Sequence, residues 1–391
     1  PYTTSSASTL VNLIRQTDRY FPWIHLLDDD AEEFAAGEES DATRNWVRRN
    51  TLAAHRWQAV PFLDKDGLPM TDYNWPSTYR RIAVVNSILE QLGDMGADEP
   101  EEALRVEGEA RFMRAFYYFW LVNLYAQPYA AATAEEEPGV PLKLSPDVED
   151  NGFARASVAE VYRQIREDLE RAAVCLRGRA PERPVRASAE AAHLLLSRVA
   201  LYSEDYEGAI AHADSVIGSG RFSLLDLNGW EDGTSFTRED SPETVFTQGG
   251  YIMGMIHTDD YVTTSRNSPR ANAYTSSPDL MRTYDSRDLR RDVFFLAPHF
   301  DKSKWRCLKS RSETAIISDY MLMRHAEAYL NKAEAQAIAG DEAGAKATLQ
   351  ELRARRFPAG QAPDIAATGE ELVNFVRDER RRELCFEGHR W

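Results

Sequence analysis

Apolar side chains recur with a period of about 3.6 residues along most of this chain, and the recurrences come in pairs. Tyr79, Ile82, Ala83, Val85, Asn86, Leu89 and Leu92 outline one helix, entered after Trp75-Pro76-Ser77 and ended by Gly93. A second runs from about Glu101 to Ala126, with Ala110, Met113, Tyr117, Trp120, Leu121 and Leu124 on one stripe, until Pro128 closes it. Together they predict a helical hairpin. Ser157-Val158-Ala159-Glu160 then reads as a capping box that opens a helix through Tyr162, Ile165, Leu169, Ala172 and Leu176. Its partner spans Ser188 to Tyr202, and a helix from Asp205 to Gly218 follows directly, with the small residues and seam-filling Tyr206 of a tetratricopeptide unit. A further pair is expected at Tyr320 to Ala339 and Glu342 to Arg355, broken by Gly340-Asp341, before a last helix over Glu370 to Glu387 with Gly388 as its C-cap.

No such pair can bury its apolar face alone, so stacking is required and yields a continuous core. The expected fold is mainly α: one domain over 1–391, a tetratricopeptide-like α-superhelix with a few short strands, its helical scaffold over about 76–220 and 318–391. Two irregular segments, about 21–75 and 221–317, break the pattern. The first carries Trp23, Trp46, Trp57 and Trp75; the second is rich in Gly, Ser, Thr, Asn and Tyr, with strand-like pieces such as Thr244-Val245-Phe246. A loop section of that length exceeds any connector and is expected to face a ligand.

Charge narrows the partners. Forty-six basic against 63 acidic residues leave a net −17, which repels a phosphate backbone, so no nucleic acid is expected. Cys175, Cys307 and Cys385 are too dispersed for a zinc site or a disulfide framework, and no apolar run is long enough to span a bilayer. HExxH, GxSxG, P-loop and GxGxxG patterns are absent, and no cofactor is called for. His257-Thr258-Asp259-Asp260 lacks a third ligand type, and Asp28-Asp29-Asp30 and Asp64-Lys65-Asp66-Gly67 lack the EF-hand frame, so these read as solvated acidic loops and no metal is assigned.

Two helices stand out. Glu107-Gly-Glu-Ala-Arg-Phe-Met-Arg-Ala-Phe-Tyr-Tyr-Phe-Trp-Leu-Val-Asn-Leu-Tyr125 and Arg380-Arg-Arg-Glu-Leu-Cys-Phe-Glu-Gly-His-Arg-Trp391 resemble the hallmark helices of the SusD/RagB-like family. Tyr320 to Ala335, Glu351-Leu-Arg-Ala-Arg355 and Ser277-Pro-Asp-Leu280 with Tyr284 to Arg290 follow family patterns in the same order, so the resemblance covers residues 75 to 391. Cys385 stands where the family has a small residue, and the first 70 residues do not align by eye. The resemblance implies a non-enzymatic nutrient-binding lipoprotein of the bacterial outer membrane, exposed at the cell surface and anchored through an upstream lipidated Cys. It would serve polysaccharide utilization by handing a glycan, or a peptide, to a SusC-like TonB-dependent transporter. It also implies further chain after Trp391. Arg111, Arg114, Arg380, Arg381 and Glu383 are expected to pair across helices and hold the scaffold in register.

A sugar needs aromatic planes flanked by planar hydrogen-bonding groups. The first segment offers Trp46 and Trp57 with Asp28, Asp30, Arg49 and Asn74; the second offers Tyr251, Tyr261 and Tyr274 with Arg266, Asn267 and Asn272. Trp75, seated before a helix, reads as structural. Two rivals stay open: an all-α glycosidase, which needs two carboxylates flanking a cleft, and a tetratricopeptide scaffold that grips a protein or peptide.

Overall fold

The structure, a computed structural model, describes residues 23–33, 51–64, 66–95, 99–147, 152–231, 234–248, 274–296, 305–309, 317–318 and 321–390. Its helices are α1 Asn74–Met95, α2 Pro100–Tyr125, α3 Val158–Cys175, α4 Ala189–Tyr202, α5 Tyr206–Ile217, the short α6 Pro278–Arg282 and α7 Arg290–Phe294, then α8 His325–Ile338, α9 Glu342–Arg353 and α10 Gly369–Leu384. Successive long helices pack as antiparallel neighbours, and α8 closes the stack by packing on α5, α9, α10 and α4. The expected mainly α, tetratricopeptide-like architecture is present.

Local chemistry sets the helix starts. The Ser157 hydroxyl accepts from the Glu160 amide while the Glu160 carboxylate accepts from the Ser157 amide, the reciprocal capping box read from the sequence. Ser188, Asp205 and Asp341 cap α4, α5 and α9 in the same one-sided way. α2 differs from its single predicted stripe. Phe112, Ala115, Phe116, Tyr118, Phe119 and Val122 are buried as well, because α2 is enclosed by α1, α3 and the strand carrying Phe246. Its approach to α3 requires Gly108, where a Cβ would stand 2.6 Å from Leu176 Cγ.

Three two-stranded antiparallel sheets fasten the irregular segments to this stack: β1 (Ala31–Glu33) with β3 (Tyr274–Ser276), β2 (Thr244–Thr247) with β6 (Leu322–Arg324), and β4 (Phe295–Leu296) with β5 (Arg306–Cys307). The β2–β6 pair corrects one boundary. The helix expected from Tyr320 begins only at His325, and Leu322 to Arg324 run extended because β2 takes their backbone groups. The last helix also stops early, at Leu384 rather than Glu387. The carbonyls of Glu383 and Cys385 turn to the Lys309 ammonium, and Phe386 and Gly388 adopt φ of 57° and 75°.

These segments converge on a buried ion network. The Glu383 carboxylate accepts from Arg290, Arg324 and Arg356 at 2.9–3.1 Å, and all four side chains are buried. Glu243, just before β2, takes Arg324 at 2.7 Å and Arg356 at 2.6 Å, and Glu387 takes two further N–H groups of Arg324 at 2.9 Å. Phe236 lies under the Arg324 guanidinium, 5.0 Å from ring centre to Cζ. Three of the expected arginines pair across helices, while Arg381 pairs instead with Asp30 outside the helical stack. Arg114 and Arg111 hold Asp168 of α3, with Asn86 of α1 on Arg114, while Arg380 joins α10 to Glu334 and Asn331 of α8.

Burial alone would raise the Glu383 carboxyl, but Arg356, Arg324 and Arg290 outweigh it and hold it well below the ordinary range; Arg290, Arg382 and Arg353 do the same for Glu379. A depressed carboxylate contributes its stability above the unfolded value of about 4.3 and loses it as pH falls toward the folded value, so unfolding should become easier below about pH 4.3. Glu383→Gln, which removes the one carboxylate charge that three buried arginines share, should cost about 3–5 kcal/mol in urea unfolding, whereas Glu135→Ala, breaking the exposed pair with Arg163, should stay within about 0.5 kcal/mol.

Candidate functional site

The β1–β3 ladder brings the two irregular segments together: Ala31 faces Ser276, Glu33 faces Tyr274, and the Ser277 amide donates to the Asp30 carbonyl at 2.7 Å. An open cleft of about 610 Å³ lies at this junction, between the chain at 27–32, the stretch around His55 and Trp57, the start of α6 and Arg390.

Trp57 dominates its rim. The indole is 71 % exposed, and its backbone sits at φ 49°. The cause is a helix end: residues 51–55 are helical, the Trp57 amide donates to the Ala54 carbonyl, and the Gln58 amide donates back to Ala53. That is a Schellman ending whose left-handed position glycine normally fills. A tryptophan there carries a left-handed penalty of about 1–2 kcal/mol and leaves its largest apolar face in water. Exposure and left-handed backbone together single this residue out on the cleft rim.

Polar groups line the floor. His55 presents its ring edge to Tyr274, 4.9 Å between centroids, and burial lowers its pKa so the imidazole stays neutral; its Nδ1 is buried without a hydrogen-bond partner. Asp28 is almost wholly buried and accepts from the Asp30 amide at 3.0 Å. Burial, with the Asp30 and Asp29 charges behind it, pushes its carboxyl well above the ordinary range. Asp29 moves the other way, because Arg390 clamps both its oxygens at 2.8 and 3.0 Å and Arg381 adds a second cation. Asp30 is fully buried and binds Arg381 of α10 at 2.7 Å; burial still raises it.

The expected site residues thus separate. Asp28 and Trp57 line one cleft. Asp30 lies beneath it as a buried anchor to α10, unavailable to a ligand. Tyr274 is a correction: its ring is wholly buried in the core, its hydroxyl 3.0 Å from Thr51 Oγ1, because β3 pairs with β1 and turns it inward. Asn74 opens α1, its amide held by Asp72 at 2.8 Å, and does not line the cleft. Trp75 packs on Tyr79 and Tyr125 as a structural residue. Trp46, Arg49, Tyr251, Tyr261, Arg266 and Asn267 lie outside the described residues, as does the His257-Asp260 cluster. Asp64 accepts the Asp66 and Leu68 amides, an ordinary turn. His55, Asp29 and Arg390 were not legible as site residues: a lone histidine and a clamp spanning 361 positions leave no local pattern. Among the described residues, no group of three metal-ligating side chains occurs and no helix is long and apolar enough to cross a membrane.

A superhelical frame presenting an aromatic cleft defines a class of ligand-capturing proteins, and comparison with known proteins places the chain within it. Residues 28–201 match the family described as starch-binding associating with outer membrane, and residues 304–391 match the SusD family. The chain belongs to the SusD/RagB-like family. SusD-like protein P2 of Formosa agariphila is 25 % identical over 384 residues, covering 87 % of this chain and 74 % of that protein. A SusD superfamily protein from Bacteroides vulgatus superposes with a TM-score of 0.74 at 20 % identity, over 99 % of this chain and 86 % of its own. A laminarin-binding SusD-like protein gives 0.68 at 21 %, over 99 % and 90 %. At these identities the solved structures establish the common fold.

The two buried aspartates should respond oppositely to amide substitution. A carboxyl with a raised folded pKa destabilises the fold as pH rises from its unfolded value toward its folded one, so Asp28→Asn should keep or raise stability at neutral pH. Burial raises Asp30 as well, but there it is opposed by the 2.7 Å ion pair with Arg381; Asp30→Asn gives up that pair, leaves Arg381 only Asp29, and should cost about 2–4 kcal/mol in urea unfolding.

Proposed function

We propose that this chain captures an oligosaccharide or polysaccharide at the Trp57 cleft, at the outer surface of the outer membrane, and delivers it to a partner TonB-dependent transporter. The exposed, left-handed Trp57 carries the reading. Its indole face suits the C–H face of a pyranose, and the neutral His55, the carboxyl of Asp28 and the Arg390–Asp29 pair offer donors and acceptors to ring hydroxyls. Acidic groups outnumber basic ones around the cleft, which favours neutral sugars over polyanions. Family membership supports carbohydrate as the ligand and the outer membrane as the setting, with a lipid anchor upstream of this sequence.

Asp28 and Asp29, one carboxyl pushed up and its neighbour pulled down, satisfy part of what a glycosidase needs. Asp29 does not supply the other half. Asp29 is bound through both oxygens to Arg390, so neither is free to attack a sugar carbon or activate water, and the cleft is open to solvent. Binding without turnover is the reading that fits. An open surface gives a Kd of roughly micromolar to millimolar.

A glycan and peptide array followed by calorimetry tests it. Trp57→Gly should weaken the selected glycan by about tenfold or more while raising stability by about 1 kcal/mol, since glycine relieves the left-handed strain. Unchanged affinity in this variant would move the site elsewhere. Prolonged incubation with the same glycan should release no new reducing ends; sustained release that disappears in Asp28→Asn would replace binding by hydrolysis.

A further inference from the structure

His193 on α4 and His212 on α5 face each other across the seam of that hairpin, their Nδ1 atoms 3.2 Å apart and their rings inclined by 30° at 5.3 Å between centroids. Both rings are half-buried, so one side of the pair meets solvent. Two neutral imidazoles this close share a single proton between the facing nitrogens. The same spacing is near the edge of a coordination tetrahedron, about 3.4 Å for metal–nitrogen bonds of about 2.0–2.1 Å. Burial keeps both rings neutral, His212 adds to the effect on His193, and the lone pairs are therefore available at neutral pH.

The surroundings favour a cation. Glu190, one helical turn before His193, and Asp205, the α5 N-cap beside His212, both bear on the pair; Arg177 opposes them at His193, while Arg221 holds Glu190 at 2.6 Å. α4 and α5 are both anchored in the stack, and the Ser197 hydroxyl bonds the Ala209 carbonyl at 2.8 Å, so the bite distance is preset by the scaffold.

We infer that His193 and His212 form a two-imidazole site for a borderline divalent transition metal ion of the zinc or copper class, independent of the glycan cleft. Each ring binds through Nδ1 and carries its remaining proton on Nε2. The ring that had donated the shared proton changes tautomer, and no proton is lost from the pair. Water fills the remaining positions on the exposed side. Acid removes the site by protonating both rings.

Titrating the full chain with Zn²⁺ at pH 7.5 should show one ion bound per chain and a rise in Tm, both lost at pH 5. His193→Gln and His212→Gln, which keep a hydrogen bond across the seam, should each abolish uptake with the helical circular dichroism unchanged. With Cu²⁺, pulsed electron paramagnetic resonance should detect two coordinated imidazoles. Absence of stoichiometric uptake at pH 7.5, or uptake retained in either variant, would overturn the assignment.

Discussion

The structure depends on one buried carboxylate. Glu383 gathers Arg290, Arg324 and Arg356, and through them Glu243, Glu379 and Glu387, so that residues spread from 243 to 387 share one ion cluster. An apolar contact among these segments would tolerate sliding, since hydrophobic attraction has no direction. A cluster of oriented guanidiniums does not, because each misplaced charge would be left buried and unpaired. The lattice therefore fixes where α10 lies, and with it everything α10 carries.

Arg381, two residues before Glu383, points the other way to Asp30, and Arg390 reaches Asp29 just past the end of the helix. The triple aspartate is thus tied to the same helix by a second, separate ion cluster. Held there, the 28–33 segment pairs with β3, and the β1–β3 ladder forms one wall of the cleft under Trp57. Cleft and scaffold are mechanically joined, although different residues line the one and brace the other. The frame's charges are spent on each other. The cleft they leave is lined by an exposed indole, the imidazole of His55 and the buried Asp28, whose carboxyl burial pushes up.

The aspartates show why a buried acid is poor evidence for chemistry by itself. Asp28 and Asp29 have pKa values pushed apart, the usual mark of an acid and its partner. Burial explains the first and an arginine clamp the second, and the clamp removes the group that would have to react.

Helix positions, the Ser157 capping box and the structural roles of Arg111, Arg114, Arg380 and Glu383 were legible in the chain, because period, caps and charged helix faces are local properties read over a few turns. The stacked α architecture followed, since unpaired amphipathic helices have no other way to bury their faces. The tertiary structure alone decided which loop residues face solvent and which turn into the core. Tyr274 and Trp57 are both aromatic residues in irregular segments, yet strand pairing turns one wholly into the core and a left-handed helix end turns the other out. Trp57 turns out at a local helix end, but the inward turn of Tyr274 rests on Glu33 across the ladder and the clamp on Asp29 on Arg390, partners hundreds of residues away, and no window along the chain contains both members of either pair.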